Sequence, residues 1–121
     1  MITDMIWNWI NGEGLPEGEE ANWDYLPAYR GWSLSLMRQG AKTDILGRTR
    51  RTAELRVTRR ITVSSNTGRL NALREMEELR AWALAHPPAG YRVRSAEEPV
   101  LKSRSNSGTE DFVMTLEIKE V

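Results

Sequence analysis

Few side chains in this sequence are of the types that carry acid–base or metal chemistry. There is no cysteine, and the single histidine, His86, lies immediately before two prolines. Catalysis needs an acid or base held beside a nucleophile or a metal. A cation at the end of a predicted helix instead interacts favourably with the helix dipole. We therefore interpret His86 as a structural residue.

Two pairs of adjacent acids are the remaining candidates for general acid–base chemistry. They are Glu97 with Glu98, and Glu110 with Asp111. Neighbours on a strand point to opposite faces, so we predict that both pairs are solvated turn residues. No set of His, Asp and Glu residues recurs at the spacing of metal ligands. The sequence thus predicts no catalytic residue, no cofactor and no metal site, and a protein that is not an enzyme.

Charge is distributed unevenly along the chain. The sequence has 17 basic and 17 acidic residues, giving a formal net charge of zero. Arginines crowd one central segment, and acidic residues crowd the first predicted loop. The candidate residues for a subunit interface or a channel are Arg48, Arg50, Arg51, Arg56, Arg59, Arg60, Glu17, Glu19 and Glu20.

Three interpretations of these charges are open. A long strand often has a solvated charged face, which would give the arginines no specific role. A row of arginines could also contact the phosphates of a nucleic acid, although net positive charge and interleaved aromatic residues are absent. Finally, basic and acidic surfaces on one subunit could pair head to tail with the next subunit and close into a ring. Composition favours this last interpretation slightly over nucleic-acid binding.

Arg59 breaks the alternation of the central predicted strand. Its odd position places it on the apolar face with Val57 and Ile61. Burying a lone guanidinium is costly, so we expect either a carboxylate partner or a β-bulge that turns Arg59 outward to a subunit contact or the ring channel. The bulge is the favoured expectation. If the ladder is regular and Arg59 is enclosed by Leu and Ile, replacing it by Leu should stabilise the subunit.

The tryptophans are candidate packing or interface residues. Trp7 and Trp9 are separated by about 200° on a helix, so one of them should lie at a rim or an interface. The aromatic residues around the first predicted strand could staple the first helix to the sheet or anchor an interface. They are Trp23, Tyr25, Tyr29 and Trp32.

Apolar periodicity predicts the elements that must position these residues. We expect an amphipathic helix over 2–10, a loop over 11–21, a strand over 32–36, a mobile loop or hairpin tip over 40–47 and a long strand over 53–63. A main helix should follow, with an apolar stripe that comprises Leu70, Leu73, Met76, Leu79 and Ala83. The candidate caps at its beginning are Ser64, Ser65, Asn66 and Thr67. Shorter strands should include Tyr91 with Val93 and Val100 with Leu101, and a well-patterned last strand should run from Phe112 to Ile118.

This order of elements predicts one α+β domain over residues 1–121. Clean alternation in the strands indicates a mostly antiparallel sheet with two helices packed on one face. No apolar run reaches the length of about 18 residues that a membrane span needs, so we expect a soluble protein without a membrane partner.

Several segments, in order along the chain, resemble the tail terminators of tailed bacteriophages and prophages, which are minor structural proteins also called tail-completion or tail-to-head joining proteins. They are Ile6, Trp9 and Ile10; Asn22 to Pro27 leading to Gly31 to Leu34; Leu79 and Trp82; and Ser105 to Gly108 leading into Phe112 to Leu116. The central loop with Arg48 to Arg51 departs most from that family.

The resemblance implies an α+β subunit that forms a ring, usually a hexamer, on the end of the tail tube. Such a ring stops tube polymerisation and joins the tail to the head. The implied partners are other copies of the subunit, the tail tube protein and the head-tail connector protein, with DNA only in transit through the channel. The implied location is the tail of the virion, at the head-tail junction. The alternatives are another connector or minor capsid component, or a small nucleic-acid-binding protein that uses the arginine-rich strand.

Overall fold

A computed structural model describes residues 2–63 and 65–121 of the chain. The elements are α1 (Ile2–Trp9), a π-helical turn (Ile10–Gly14), β1 (Ala21–Trp23), β2 (Gly31–Thr43), β3 (Thr49–Thr62), α2 (Asn66–Ala85), β4 (Tyr91–Arg104) and β5 (Thr109–Glu120). The strands form one sheet in the order β1-β2-β3-β5-β4, in which only the β1–β2 pair is parallel. The prediction of an α+β fold with a mostly antiparallel sheet is confirmed.

Alternation along β3 builds the centre of the core. Leu55 and Val57 are fully buried, and Arg56 between them is only partly covered. Residues of both helices, including Ile6 and Met76, belong to the same hydrophobic cluster as these strand residues and as Met114 of β5. Burial of this one apolar set is the main favourable contribution to folding. That both helices pack on one face of the sheet stays a prediction.

The main helix begins and ends where its capping residues predict. The side chain of Ser65 accepts a hydrogen bond from the Gly68 N–H at 3.3 Å, and the His86 N–H donates to the Trp82 carbonyl at 2.8 Å. Ser64, another of the candidate caps, lies outside the described residues. The predicted stripe is wrong at Leu70, which is 60% exposed, because the buried face of α2 instead runs through Ala72.

Three strand predictions need correction. The strand predicted over 32–36 extends to Thr43, and the turn that follows is a hairpin tip, which is one of the two structures predicted for 40–47. The two short strands expected around Val93 and Val100 are one strand, β4, whose pairing with β5 is interrupted by register shifts. The three-residue strand β1 was not predicted, since so short a segment has no periodicity to detect.

Stacked aromatic rings connect the two helices. The rings of Trp9 and Trp82 lie 5.4 Å apart, and the Trp9 indole N–H donates to the His86 carbonyl at 2.7 Å. A Cβ atom at Gly14 would come within 2.8 Å of the Trp82 ring, so the chain leaving α1 needs glycine there. Trp9 is therefore the tryptophan of α1 that packs inward.

Truncating Met76 should test the packing of α2. The side chain is fully buried, so Met76→Ala should lower the free energy of unfolding by about 2–5 kcal/mol through lost contacts and a residual cavity. Leu70→Ala on the same helix is the matched control and should change stability by less than about 0.5 kcal/mol. Urea denaturation measures both, and equal losses would contradict the placement of these two residues.

Candidate assembly surface

The β2–β3 hairpin reaches beyond the rest of the sheet. β2 and β3 pair as far as Thr43 and Thr49, whereas β5 pairs with β3 only from Thr52 onward. Residues 41–51 are therefore a two-stranded projection, here called the hairpin arm. Its attachment to the sheet includes a hydrogen bond from the Arg51 N–H to the Glu120 carboxylate.

Asp44 organises the tip of the hairpin arm. Its backbone N–H donates to the Arg48 carbonyl at 2.8 Å, and its carbonyl accepts from the Gly47 N–H at 3.0 Å. Its carboxylate accepts from the backbone N–H groups of Leu46 at 2.9 Å and Arg48 at 3.0 Å. Gly47 has φ +81°, the left-handed conformation that completes this kind of hairpin loop.

Two large apolar side chains project from this tip. Ile45 is 101% exposed relative to a reference chain and Leu46 is 75% exposed. Turn positions ordinarily hold Gly, Asn, Asp, Ser or Pro, so the turn geometry does not require two branched aliphatic residues. Sequence reasoning missed them, although an Ile-Leu pair between Asp44 and Gly47 was a visible signal.

The structure does not gather the central arginines into one strip. On the hairpin arm, Arg48 and Arg50 lie 3.3 and 3.8 Å from the Asp44 carboxylate, and Arg51 is exposed. Arg56 lies half-buried between Ser35 and Thr115 of the neighbouring strands. Alternation along β3 then sends the next two arginines to opposite faces of the sheet.

The preferred expectation for Arg59 is wrong. Its ladder is regular on both sides, opposite Trp32 and Phe112, so no bulge turns it outward. The side chain is only 2% exposed. Arg59 is consequently an interior residue and does not lie on a surface that a neighbouring subunit or a channel could contact.

The alternative expectation, a carboxylate partner, is confirmed twice. The Arg59 guanidinium lies 3.6 Å from Glu75 of α2 and 3.8 Å from Glu19 of the first loop, and 4.9 Å from the centroid of the Trp32 ring. Burial lowers the pKa of Arg59 below its usual value, and the Glu75 carboxylate opposes that shift. The guanidinium Nε and the Trp32 Nε1 are both buried without a hydrogen-bond acceptor.

Other predicted charges are also used within the chain. Arg60 forms a two-pronged pair with the Asp111 carboxylate, at 2.7 and 2.9 Å, and donates to the Pro27 carbonyl at 3.2 Å. Glu19 pairs with Arg30 as well as with Arg59. Of the predicted acidic interface residues, this leaves Glu17 and Glu20 exposed to solvent.

The interpretation of Glu110 and Asp111 as solvated turn residues is wrong. Both lie in β5, and Glu110 is only 4% exposed. Arg69 of α2 and Arg104 of β4 both contact the Glu110 carboxylate, and the hydrogen bond from Arg69 is the main cause that holds the pKa of Glu110 below its usual value. The side chains of Glu110 and Asp111 lie on opposite faces of the sheet, as expected for adjacent residues of a strand.

A groove lined by two tryptophans lies at the other end of the sheet from the hairpin arm. It has a volume of about 370 Å³ and is lined by Thr3, Asp4 and Trp7 of α1 and by Trp23 of β1. Trp7 is half-buried, which agrees with the prediction that one tryptophan of α1 lies at a rim. We call this feature the tryptophan groove.

Comparison with known proteins adds no relative. No protein-family model matches the chain, and no curated protein matches it.

Within residues 2–63 and 65–121, no three His, Asp or Glu side chains converge as metal ligands would. In the same part of the chain, no helix has the length and apolar character needed to cross a bilayer.

Replacing Arg59 by Leu should destabilise the fold. The guanidinium of Arg59 is surrounded by two carboxylates and the Trp32 indole, whereas an enclosure of Leu and Ile side chains would have favoured leucine. The substitution leaves Glu19 and Glu75 without their shared cation, which should cost about 1–3 kcal/mol of unfolding free energy. In a Glu75→Gln background the loss should be smaller. Denaturant titration of the original chain, the two single variants and the double variant gives the interaction free energy between Arg59 and Glu75. An Arg59→Leu variant as stable as the original chain would refute the ion triad of Arg59, Glu19 and Glu75.

The tip of the hairpin arm should respond to the titration of Asp44. The hydrogen bond from the Arg48 N–H is the main cause that holds the pKa of Asp44 below its usual value of 3.8. The carboxylate therefore stabilises the turn fully above that value, and the stabilisation is lost as pH falls through the lower folded-state pKa. By NMR, the amide protons of Leu46 and Arg48 should titrate together with a midpoint below 3.8. The same transition should be absent in Asp44→Asn, and a midpoint above 3.8 would contradict the hydrogen bonds to this carboxylate.

Proposed function

We propose that this protein is the subunit of a ring that caps the tail tube of a bacteriophage, stops its polymerisation and joins the tail to the head. The observation that carries this proposal is the hairpin arm, which presents exposed Ile45 and Leu46 beyond the edge of its own sheet. The exposed tip of the arm is available for contact with another molecule. The resemblance along the chain to tail terminators supports the particular assembly.

The charge pattern supports assembly over nucleic-acid recognition. Arg59 and Arg60 are occupied by carboxylates of their own chain. Non-specific affinity for DNA comes from cations that are free to neutralise phosphates. The chain has zero net charge, and Arg59 and Arg60 are already paired, so its capacity for non-specific DNA binding is reduced.

The positions of the arm and the acidic loop favour a head-to-tail contact. Exposed Glu17 and Glu20 lie in the segment before β1, which pairs with the beginning of β2, whereas the hairpin arm is at the far end of β2. Contacts between two different surfaces of the same subunit generate a ring when the rotation closes. The ring would bind the tail tube protein on one side and the head-tail connector on the other, and DNA would pass through its channel at the head-tail junction of the virion.

Mass measurement tests this function directly. Light scattering coupled to size-exclusion chromatography should give a single species of about six times the 13.8 kDa chain mass, at micromolar concentration or on addition of the tail tube protein. Electron microscopy should show a ring, and adding the protein to a polymerising tail tube protein should shorten the tubes. A monomer that leaves tube length unchanged would refute the proposal. Salt-sensitive binding to duplex DNA by such a monomer would favour the nucleic-acid alternative.

A further inference from the structure

We propose that Ile45 and Leu46 at the tip of the hairpin arm insert into the tryptophan groove of the neighbouring subunit. The inference rests on the proposed ring and specifies the contact that holds it together. The occupant of the groove is thus a second copy of this chain, and the two surfaces in contact are different.

The geometry excludes the same contact within one chain. Trp23 pairs with Leu34, near the beginning of β2, and Ile45 follows at the far end of that strand. At a rise of about 3.3 Å per residue, the separation along β2 is roughly 35 Å. The tip and the groove therefore belong to opposite ends of one subunit and can meet only between subunits.

The two surfaces match in size and polarity. The tip offers two branched aliphatic side chains that are 101% and 75% exposed. The groove, about 370 Å³ in volume, is walled by Trp7 and Trp23 and can hold two such side chains. Tryptophan is among the residues that most often dominate binding energy at protein interfaces, particularly in pockets that exclude water. Insertion would remove the exposed apolar surface of the tip and the groove together.

Charge favours the same pairing and gives it a direction. Arg48 and Arg50 flank the tip, with side chains that are 65% and 46% exposed. Asp4 lines the tryptophan groove, and exposed Asp24 follows Trp23 directly. A basic rim around the apolar tip would thus meet an acidic rim around the apolar groove, which promotes correct encounter and disfavours the pairing of two tips or two grooves.

Two complementary variants provide a sharp test. The tip variant carries Ile45→Ser and Leu46→Ser, and the groove variant carries Trp7→Gln. Each should lose the ring when alone, with its weight-average mass falling to that of a monomer. An equimolar mixture retains one intact tip and one intact groove, so it should form a heterodimer and no larger species. Leu70→Ser, which changes an exposed leucine of α2, is the matched control and should keep the ring.

The outcomes separate this contact from the proposed function. If the tip variant still forms a ring of unchanged mass, the contact is wrong and the ring stands. If both variants are monomeric but their mixture stays monomeric, the head-to-tail pairing is wrong. If the unaltered chain neither assembles nor shortens tail tubes, the proposed function itself fails. Circular dichroism confirms that each variant is folded before its mass is interpreted.

Disulfide trapping gives an independent measurement that tolerates a weak contact. The chain has no cysteine, so any introduced thiol reports on one position. Leu46→Cys mixed with Thr3→Cys under mild oxidation should give a mixed disulfide dimer, because a disulfide needs Cα atoms within about 7 Å. Leu70→Cys mixed with Thr3→Cys should give far less. Equal yields from the two mixtures would overturn the proposal even if the substitutions in the first test prevented folding.

Discussion

The buried guanidinium of Arg59 is the constraint on which the arrangement of this fold depends. A cation enclosed near the centre of the sheet is tolerated only if opposite charges come to it. Glu19 brings the first loop, and Glu75 brings the main helix, to within 4 Å of the same group. One ion thereby fixes the positions of a loop and a helix that are distant in sequence, and the Trp32 ring completes its enclosure.

Because charges are used in this way, two arginines of the arginine-rich segment, Arg59 and Arg60, serve the fold. Arg59 and Arg60 point to opposite faces of β3 and meet carboxylates on each. What the fold leaves free is the hairpin arm, where basic side chains surround an apolar tip. The arginines of the arm differ from Arg59 and Arg60 because they lie beyond Thr52, where the pairing of β3 with β5 ends, although all of them are close together in the sequence.

The two outer strands of the sheet, β1 and β4, are irregular, and β1 pairs only with residues 32–34 of β2. β1 has only three residues, and the pairing of β4 with β5 contains three register shifts. Short and irregular edge strands discourage pairing with another sheet. The proposed association through a projecting tip and a groove would depend on side chains and not on unpaired backbone groups at these edges.

The sequence by itself determined the elements whose signals are local. Alternation placed β3 and β5, and Ser65 with the paired prolines placed the ends of α2, because hydrophobic period and capping act over a few residues. Only the tertiary structure decided the environment of Arg59, because Glu19 and Glu75 are brought to it by folding and no spacing along the chain encodes their approach. The same holds for β1, which exists only through pairing with β2, and for the tryptophan groove, whose two walls come from α1 and β1. Periodicity reports which face of an element is apolar, whereas burial of a particular side chain depends on what the rest of the chain places against that face.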